Sequence, residues 1–382
     1  MRRRSPGVLR LMLRVSAVLA LLAGGLLVSA PLAAADAPGG TTCAARPVSA
    51  TGDVPVLAHF YIWFNASSWN RAKKDYPAVA RYSSDQISVM RTQAEQARAA
   101  GIDGFIVGWR STDTLNSRLA MLRNVAHDAG LQLALTYQAQ DFNRDPLPVA
   151  QVRHDLEQFA DAYGDDPVFQ LLGPRPVVAL SGTWLYSEDE LRSITAPVAS
   201  RLLLLGTEKS VAGYERVAPV VQGNLYYWSS ADPEETPRYR DKLHAMSDAV
   251  HARCGLWVAP VAPGFDARDV GGRSVVDRRD GDTLRASWRA SMASSPDAVG
   301  VISWNEYSEN TYIEPSRAFQ SKYLDLLGEL TGAPPPEQAR EPVPAQAPDG
   351  AFGRAIVTAS VVLTFVLVVT VVGVRHRREP LS

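Results

Sequence analysis

The chain has 382 residues and only two cysteines, Cys43 and Cys254. That excludes a cysteine-built metal cluster. Its six histidines show no H-E-x-x-H spacing, so the zinc helix of metalloproteases is absent as well. No G-x-S-x-G occurs and no Ser-His-Asp order suggests itself, which removes the common serine-nucleophile arrangements. No glycine-rich phosphate loop follows the first predicted strand, which weighs against a doubly wound open sheet. Charge of one sign is also lacking: 39 Lys and Arg face 40 Asp and Glu, a net charge of −1. Nothing in that balance provides the basic footprint that nucleic acid requires. The sequence calls for no cofactor and no metal.

Long hydrophobic runs are scarce except at the two ends. Arg2, Arg3, Arg4, Arg10 and Arg14 precede an apolar run over residues 15–30, and Ala33, Ala34 and Ala35 then offer small residues for cleavage. This reads as a secretory signal peptide over 1–35, followed by a lead-in over 36–53. At the other end, 331–354 is a linker rich in Pro, Ala and Gln. Residues 355–374 form an uncharged apolar run long enough to span a bilayer, and Arg375, His376, Arg377 and Arg378 follow within a basic tail over 375–382. The positive-inside rule places that tail in the cytoplasm and the bulk of the chain outside. The expectation is a single-pass protein of the cell membrane with an extracellular domain of about 290 residues, acting as a monomer. Outside the cytoplasm, Cys43 and Cys254 are expected to form one disulfide.

Between the ends, short apolar runs alternate with amphipathic stretches. Strands are predicted at 54–64, 104–109, 131–137, 176–181, 201–205, 220–227, 256–260 and 298–303. Helices are predicted at 83–100, 115–129, 149–163, 187–198, 211–217, 238–252, 284–294 and 319–330. Glu190 is placed to cap the fourth helix from its third position. Eight strand–helix pairs over 54–330 indicate an α/β fold, a single (β/α)8 barrel. A doubly wound open sheet is the alternative.

In such a barrel the active site lies at the C-terminal ends of the strands. Those ends are rich in rings and polar groups. The first carries His59, Tyr61 and Trp63, which share a face by the two-residue period. The second carries Trp109 and Arg110, and the third Tyr137 with Asp141 just beyond. Trp184 follows the fourth, and Tyr227 and Trp228 end the sixth. Asp266 follows the seventh, and Trp304 and Asn305 end the eighth, with Tyr312 further along. Each alone is as readily a packing residue. Together they describe a cleft of aromatic faces and hydrogen-bonding groups, which is what sugar rings require.

The eighth strand runs directly into Glu306, and Glu309 follows three residues later. Cleaving a glycosidic bond needs a proton donor at the leaving oxygen and a second group for the charge developing at the sugar. Two carboxylates divide these roles if their surroundings separate their pKa values. Like charge and aromatic burial both favour keeping one of them protonated. Glu314 is expected to hold the loop. Two alternatives remain: a non-catalytic carbohydrate-binding protein, and a different hydrolase or lyase, with a metal held by Glu306, Asp141 or Asp266.

The segment Ser303-Trp304-Asn305-Glu306-Tyr307-Ser308-Glu309-Asn310-Thr311-Tyr312-Ile313-Glu314-Pro315 resembles the signature of glycoside hydrolase family 99, which contains endo-α-mannosidases and endo-α-mannanases. Pro263-Gly264-Phe265-Asp266 and His59-Phe60-Tyr61-Ile62-Trp63-Phe64 resemble two further elements of that family, and Arg285, Trp288, Pro296 and Asp297 fit its approach to the last strand. The resemblance spans about residues 54–330 and implies a retaining (β/α)8 endo-glycosidase of an α-mannan-like polysaccharide. In that family one carboxylate acts as base on the sugar's own 2-hydroxyl, giving a 1,2-anhydro intermediate. The other serves as general acid and then base. By motif position Glu306 matches the first and Glu309 the second. Asn310 stands where the family usually has Gly, Tyr312 where it often has Gln, and Gly108-Trp109-Arg110 replaces its usual Trp-Trp-Gly. The same segment also resembles proteins akin to family 71, the endo-α-1,3-glucanases.

Overall fold

The computed structural model describes residues 54–333, apart from Ala72 and Phe142. The expected signal peptide, most of the linker, the membrane helix and the basic tail lie outside the described residues. Among the described residues, no helix is long and apolar enough to cross a membrane. Cys254 closes the turn after the sixth helix with a φ of 56°. Its expected partner, Cys43, is outside the described residues.

Eight parallel strands close a barrel. In chain order they are β1 (Val56–Tyr61), β2 (Gly104–Trp109), β3 (Gln132–Gln138), β4 (Val177–Ser181), β5 (Leu203–Gly206), β6 (Gly223–Leu225), β7 (Leu256–Val261) and β10 (Ala298–Val301). Each neighbours the next, and β10 returns to β1 with Val56 opposite Val299 and Ala58 opposite Val301. Between β7 and β10 a short antiparallel ribbon, β8 (Phe265–Asp266) with β9 (Val275–Val276), stands outside the barrel. The sequence gives no sign of it, because two-residue strands carry no periodicity.

The helices are α1 (Ile87–Ala99), α2 (Asp113–Ala129), α3 (Val149–Tyr163), α4 (Glu188–Thr195), α5 (Val211–Val217), α6 (Tyr239–His251), α7 (Asp282–Ala293) and α8 (Lys322–Thr331). Local chemistry fixes several of their ends. Thr112 caps α2 by accepting from the Leu115 amide, and Gly130 ends it in the left-handed region. Ser187 and Glu190 cap α4 reciprocally, as the spacing predicts.

The two-residue period sorts every strand into an inward and an outward set. Leu57, Ile106, Ala134, Ala179, Leu205 and Val258 fill the barrel interior. Ala58, Phe105, Leu135, Val178, Leu204 and Trp257 belong to the larger core between strands and helices. A third cluster, at and beyond the strand ends, joins Tyr61 at the end of β1 and Phe64, Trp69 and Tyr82 of the connection after it to Tyr307 and Tyr312. It anchors the long connection between β1 and α1 on the segment that follows β10.

Candidate active site

That segment folds back on itself. Ser303 donates its amide to the Thr311 carbonyl at 2.9 Å, and their hydroxyls meet at 2.9 Å. Ile313 and Glu314 donate in turn to the carbonyls of Ser303 and Trp304. The turn enclosed by these bonds carries Glu306 and Glu309. Asn305 fixes it to the barrel: its Oδ1 accepts from the Tyr61 amide at 2.8 Å, and its Nδ2 donates to the Tyr61 carbonyl and the Tyr82 hydroxyl. From the far side the Asp266 amide donates to the Glu309 carbonyl at 2.8 Å, and Arg278 donates to the carbonyls of Asn310 and Tyr312. Asn310 sits at φ 54°, in the left-handed region, with its Nδ2 on the Asp266 carbonyl. Asparagine enters that region more readily than other non-glycine residues. This accounts for its standing where the resembling family has Gly.

Glu314 is buried behind the turn, accepting from Gln93 Nε2 at 2.6 Å and the Tyr82 hydroxyl at 3.1 Å. Burial pushes its carboxyl up to about 7. It holds the loop, as expected, by linking α1 to the segment that returns from the turn.

The two carboxylates of the turn sit in different surroundings. Glu306 is 7% exposed, and its Oε1 accepts from the Ser308 amide at 2.8 Å. Burial raises its pKa, while the Ser308 amide and the charge of Lys73 pull the other way. Lys73 arrives from the connection after β1 and places its Nζ 3.0 Å from Ser308 Oγ. Glu309 is also largely enclosed. Burial first, and then the charge of Glu306, push it up to about 7, with Arg144 opposing. Burial acts on both carboxyls, and the donors and the cation beside Glu306 favour its anion relative to that of Glu309.

The inward face of β1 and the end of β6 form the opposite wall. Tyr61 and Tyr227 share a hydrogen bond of 3.0 Å between hydroxyls, and both respond to the charges of Glu306 and Glu309. Burial raises both phenols well above their ordinary range, so they stay protonated donors. Trp63 stacks on Tyr61 at 4.2 Å between ring centroids. His59 lies edge-on to Tyr227 at 4.8 Å, and burial lowers it to about 3, so it is neutral. Gly108 makes room for this wall, since a Cβ there would stand 2.8 Å from the Tyr61 ring.

Several residues expected to contact substrate are elsewhere. Trp109 and Tyr137 have the outward parity of their strands: Trp109 Nε1 donates to Asn116 of α2, and the Tyr137 hydroxyl donates to Asp155 of α3. Trp228 stacks on Tyr226 and on Tyr239 of α6, and Trp304 packs on Phe105 in the helix-facing core. These four are corrected to packing residues; Trp109, Tyr137 and Trp228 are each one position out of phase with the inward set, and Trp304 lies past the end of β10 within the helix-facing core. Asn305 is fully enclosed and spends its amide on the loop. Tyr312 is enclosed too, stacked on Tyr307 at 4.1 Å with its hydroxyl on Asp75. Both therefore hold the site together. Asp141 accepts from the amides of Asn143 and Asp145 and shapes the loop after β3. The Arg110 guanidinium donates to the Gln140 carbonyl on the same rim. Asp266 is engaged by Arg268 and Lys74 on a separate open groove of about 430 Å³, which Asn310 and Tyr312 also line. Trp184 remains 41% exposed at the end of β4, with the Lys209 ammonium 4.6 Å from its ring centroid. Lys73, Ser308 and Arg144 escape a sequence reading because they flank no strand end at a fixed spacing.

A closed parallel barrel with two enclosed carboxylates and stacked rings at the C-terminal ends of its strands is the arrangement of a barrel glycosidase. The chain belongs to glycosyl hydrolase family 71, whose family model matches residues 78–326. It is 21% identical over 285 residues to the glycoprotein endo-alpha-1,2-mannosidase of Rattus norvegicus, an alignment covering 65% of this chain and 59% of that protein. The chain thus matches about three-fifths of that relative's length. Among solved structures, the endo-alpha-mannosidase of glycoside hydrolase family 99 from Bacteroides thetaiotaomicron shares the fold with a TM-score of 0.64 at 19% identity, covering 73% of this chain and 97% of that one. A protein described as glycoside hydrolase-like gives a TM-score of 0.60 at 16% identity, covering 73% and 94%.

Proposed function

We propose that the chain cleaves internal α-glycosidic bonds of a polysaccharide, with Glu306 as the base and Glu309 as the general acid. The observation that carries this reading is the asymmetry of the pair. Glu306 has an amide donor and a nearby lysine, whereas enclosure beside the Glu306 charge raises Glu309 to about 7. Glu309 protonates the leaving oxygen while Glu306 takes a proton from the sugar's 2-hydroxyl, whose oxygen closes onto the anomeric carbon. Water, deprotonated by Glu309, then opens the 1,2-anhydro ring and the 2-oxygen recovers its proton from Glu306. Two inversions give net retention.

The mannosidase named above supports an α-mannan-like substrate, because in an α-mannoside the 2-oxygen lies opposite the leaving group. Membership of family 71 favours a second reading, another α-glycan such as an α-1,3-glucan. There the 2-oxygen lies on the same side as the leaving group, and the 1,2-anhydro route is closed. The apolar and basic ends of the sequence support a domain held outside the cell by a C-terminal helix and pinned by a Cys43–Cys254 disulfide.

The test is incubation of the protein with α-mannans and α-glucans, followed by chromatography of released oligosaccharides. Internal fragments from mannan are expected, with activity falling by about 10²- to 10⁴-fold in Glu309→Gln and lost in Glu306→Gln. Undiminished release by both variants would overturn the carboxylate assignment. Release of single sugars from chain ends would overturn endo action.

A further inference from the structure

We propose that Lys73 is a positioning residue for Glu306: its ammonium, held on Ser308 Oγ, supplies the fixed positive charge against which the Glu306 carboxylate is kept ionised. This rests on the reading of Glu306 as the base. The geometry is specific. Ser308 joins the two groups, its amide donating to Glu306 Oε1 at 2.8 Å and its hydroxyl accepting from Lys73 Nζ at 3.0 Å. Lys73 and Ser308 are 235 residues apart in sequence, so tertiary folding alone brings them together. Lys73 is half-buried, and that burial lowers its own pKa, with the charge of Glu306 acting to restore it. A lysine drawn partly out of water beside an enclosed carboxylate stabilises that carboxylate more than a solvated surface lysine does, because less solvent screens the pair.

The charged and titratable groups around Glu306 come from several elements. Glu309 lies on the same turn, Tyr61 on β1 and Tyr227 at the end of β6. Arg71 and Asp269 act on Lys73 with opposite signs, and Arg144 acts on Glu309. Within this set Lys73 is the cation that acts on Glu306. A second consequence is mechanical. The Lys73–Ser308 bond ties the connection after β1 to the catalytic turn, so the aromatic wall and the carboxylates share one support.

The experiment is the pH profile of kcat/KM for the wild type, Lys73→Met and Lys73→Arg. With the cation removed Glu306 ionises less readily, so the acid limb is expected to move up by about one pH unit. Lys73→Arg is expected to return it. On that limb Lys73→Met then falls about tenfold below wild type, with a smaller loss near the optimum. An equal loss at every pH, with the limb unmoved, would overturn the proposal and leave Lys73 a structural tie. Glu306→Gln is assayed in parallel and is expected to be inactive; if it retains activity with the wild-type acid limb, the reading of Glu306 as base fails instead. In that event infrared titration of Glu306 in a Glu309→Gln background, with Glu306→Gln subtracted, still decides on Lys73. An upward shift with Lys73→Met sustains the electrostatic role, and no shift ends it.

Discussion

Glu306 and Glu309 differ in what donates to them more than in how deeply they lie. Burial disfavours the anion at both; the Ser308 amide and Lys73 oppose that effect at Glu306, while the Glu306 charge adds to it at Glu309. The pH dependence follows with its sign. As the proposed general acid, Glu309 must be protonated, and its pKa is pushed up to about 7. Activity governed by kcat/KM is therefore expected to decline as pH rises through about 7, and Glu309→Gln is expected to abolish that alkaline limb in whatever activity remains. A profile flat to pH 9 would contradict this role. Glu306, Glu309 and the inward set His59, Tyr61 and Trp63 were legible in the sequence from strand-end position and the two-residue period. Trp109, Tyr137 and Trp228 were misread because strand ends were counted without parity, and one residue of phase moves a side chain from cleft to helix layer.

At the scale of elements, the turn that carries Glu306 and Glu309 depends on backbone geometry and on its supports. Asn310 at φ 54° allows the chain to reverse between Glu309 and Thr311. Asn310→Gly is expected to keep the turn, losing the Nδ2 bond to Asp266 at a cost of about 1 kcal/mol. Asn310→Val is expected to cost a further 1–3 kcal/mol or so, because a β-branched residue is strained there. Chemical denaturation of the two variants separates them; equal stability would show that the left-handed conformation places no demand on the side chain. Glu314, Tyr82, Gln93 and Asn305 form the polar support behind the turn. Their order was opaque in sequence, since Tyr82 and Asn305 are 223 residues apart. The main helices were visible because apolar spacing and end residues such as Gly130 and Glu190 are local signals.

For the whole molecule, closure of the barrel is complete within the described residues. β10 pairs with β1, and Thr331 at the end of α8 donates its hydroxyl to the Ala100 carbonyl at 2.9 Å. A chain of residues 36–333 is therefore expected to unfold in one cooperative transition and to hydrolyse soluble glycan with unchanged kcat/KM. A broad transition, or a tenfold loss of activity, would show that segments outside 36–333 complete the domain or its site.

The alternation of eight apolar strands with eight amphipathic helices determined the barrel, because period and capping are written in neighbouring residues. The run from Ala298 into Glu306 likewise determined that two carboxylates stand at a strand end. Only the tertiary structure decided which rings face the cleft, that Asn305 and Tyr312 serve the loop, and that Lys73 reaches Ser308. Those outcomes depend on side-chain direction and on contacts between segments more than 200 residues apart, and no local pattern encodes either.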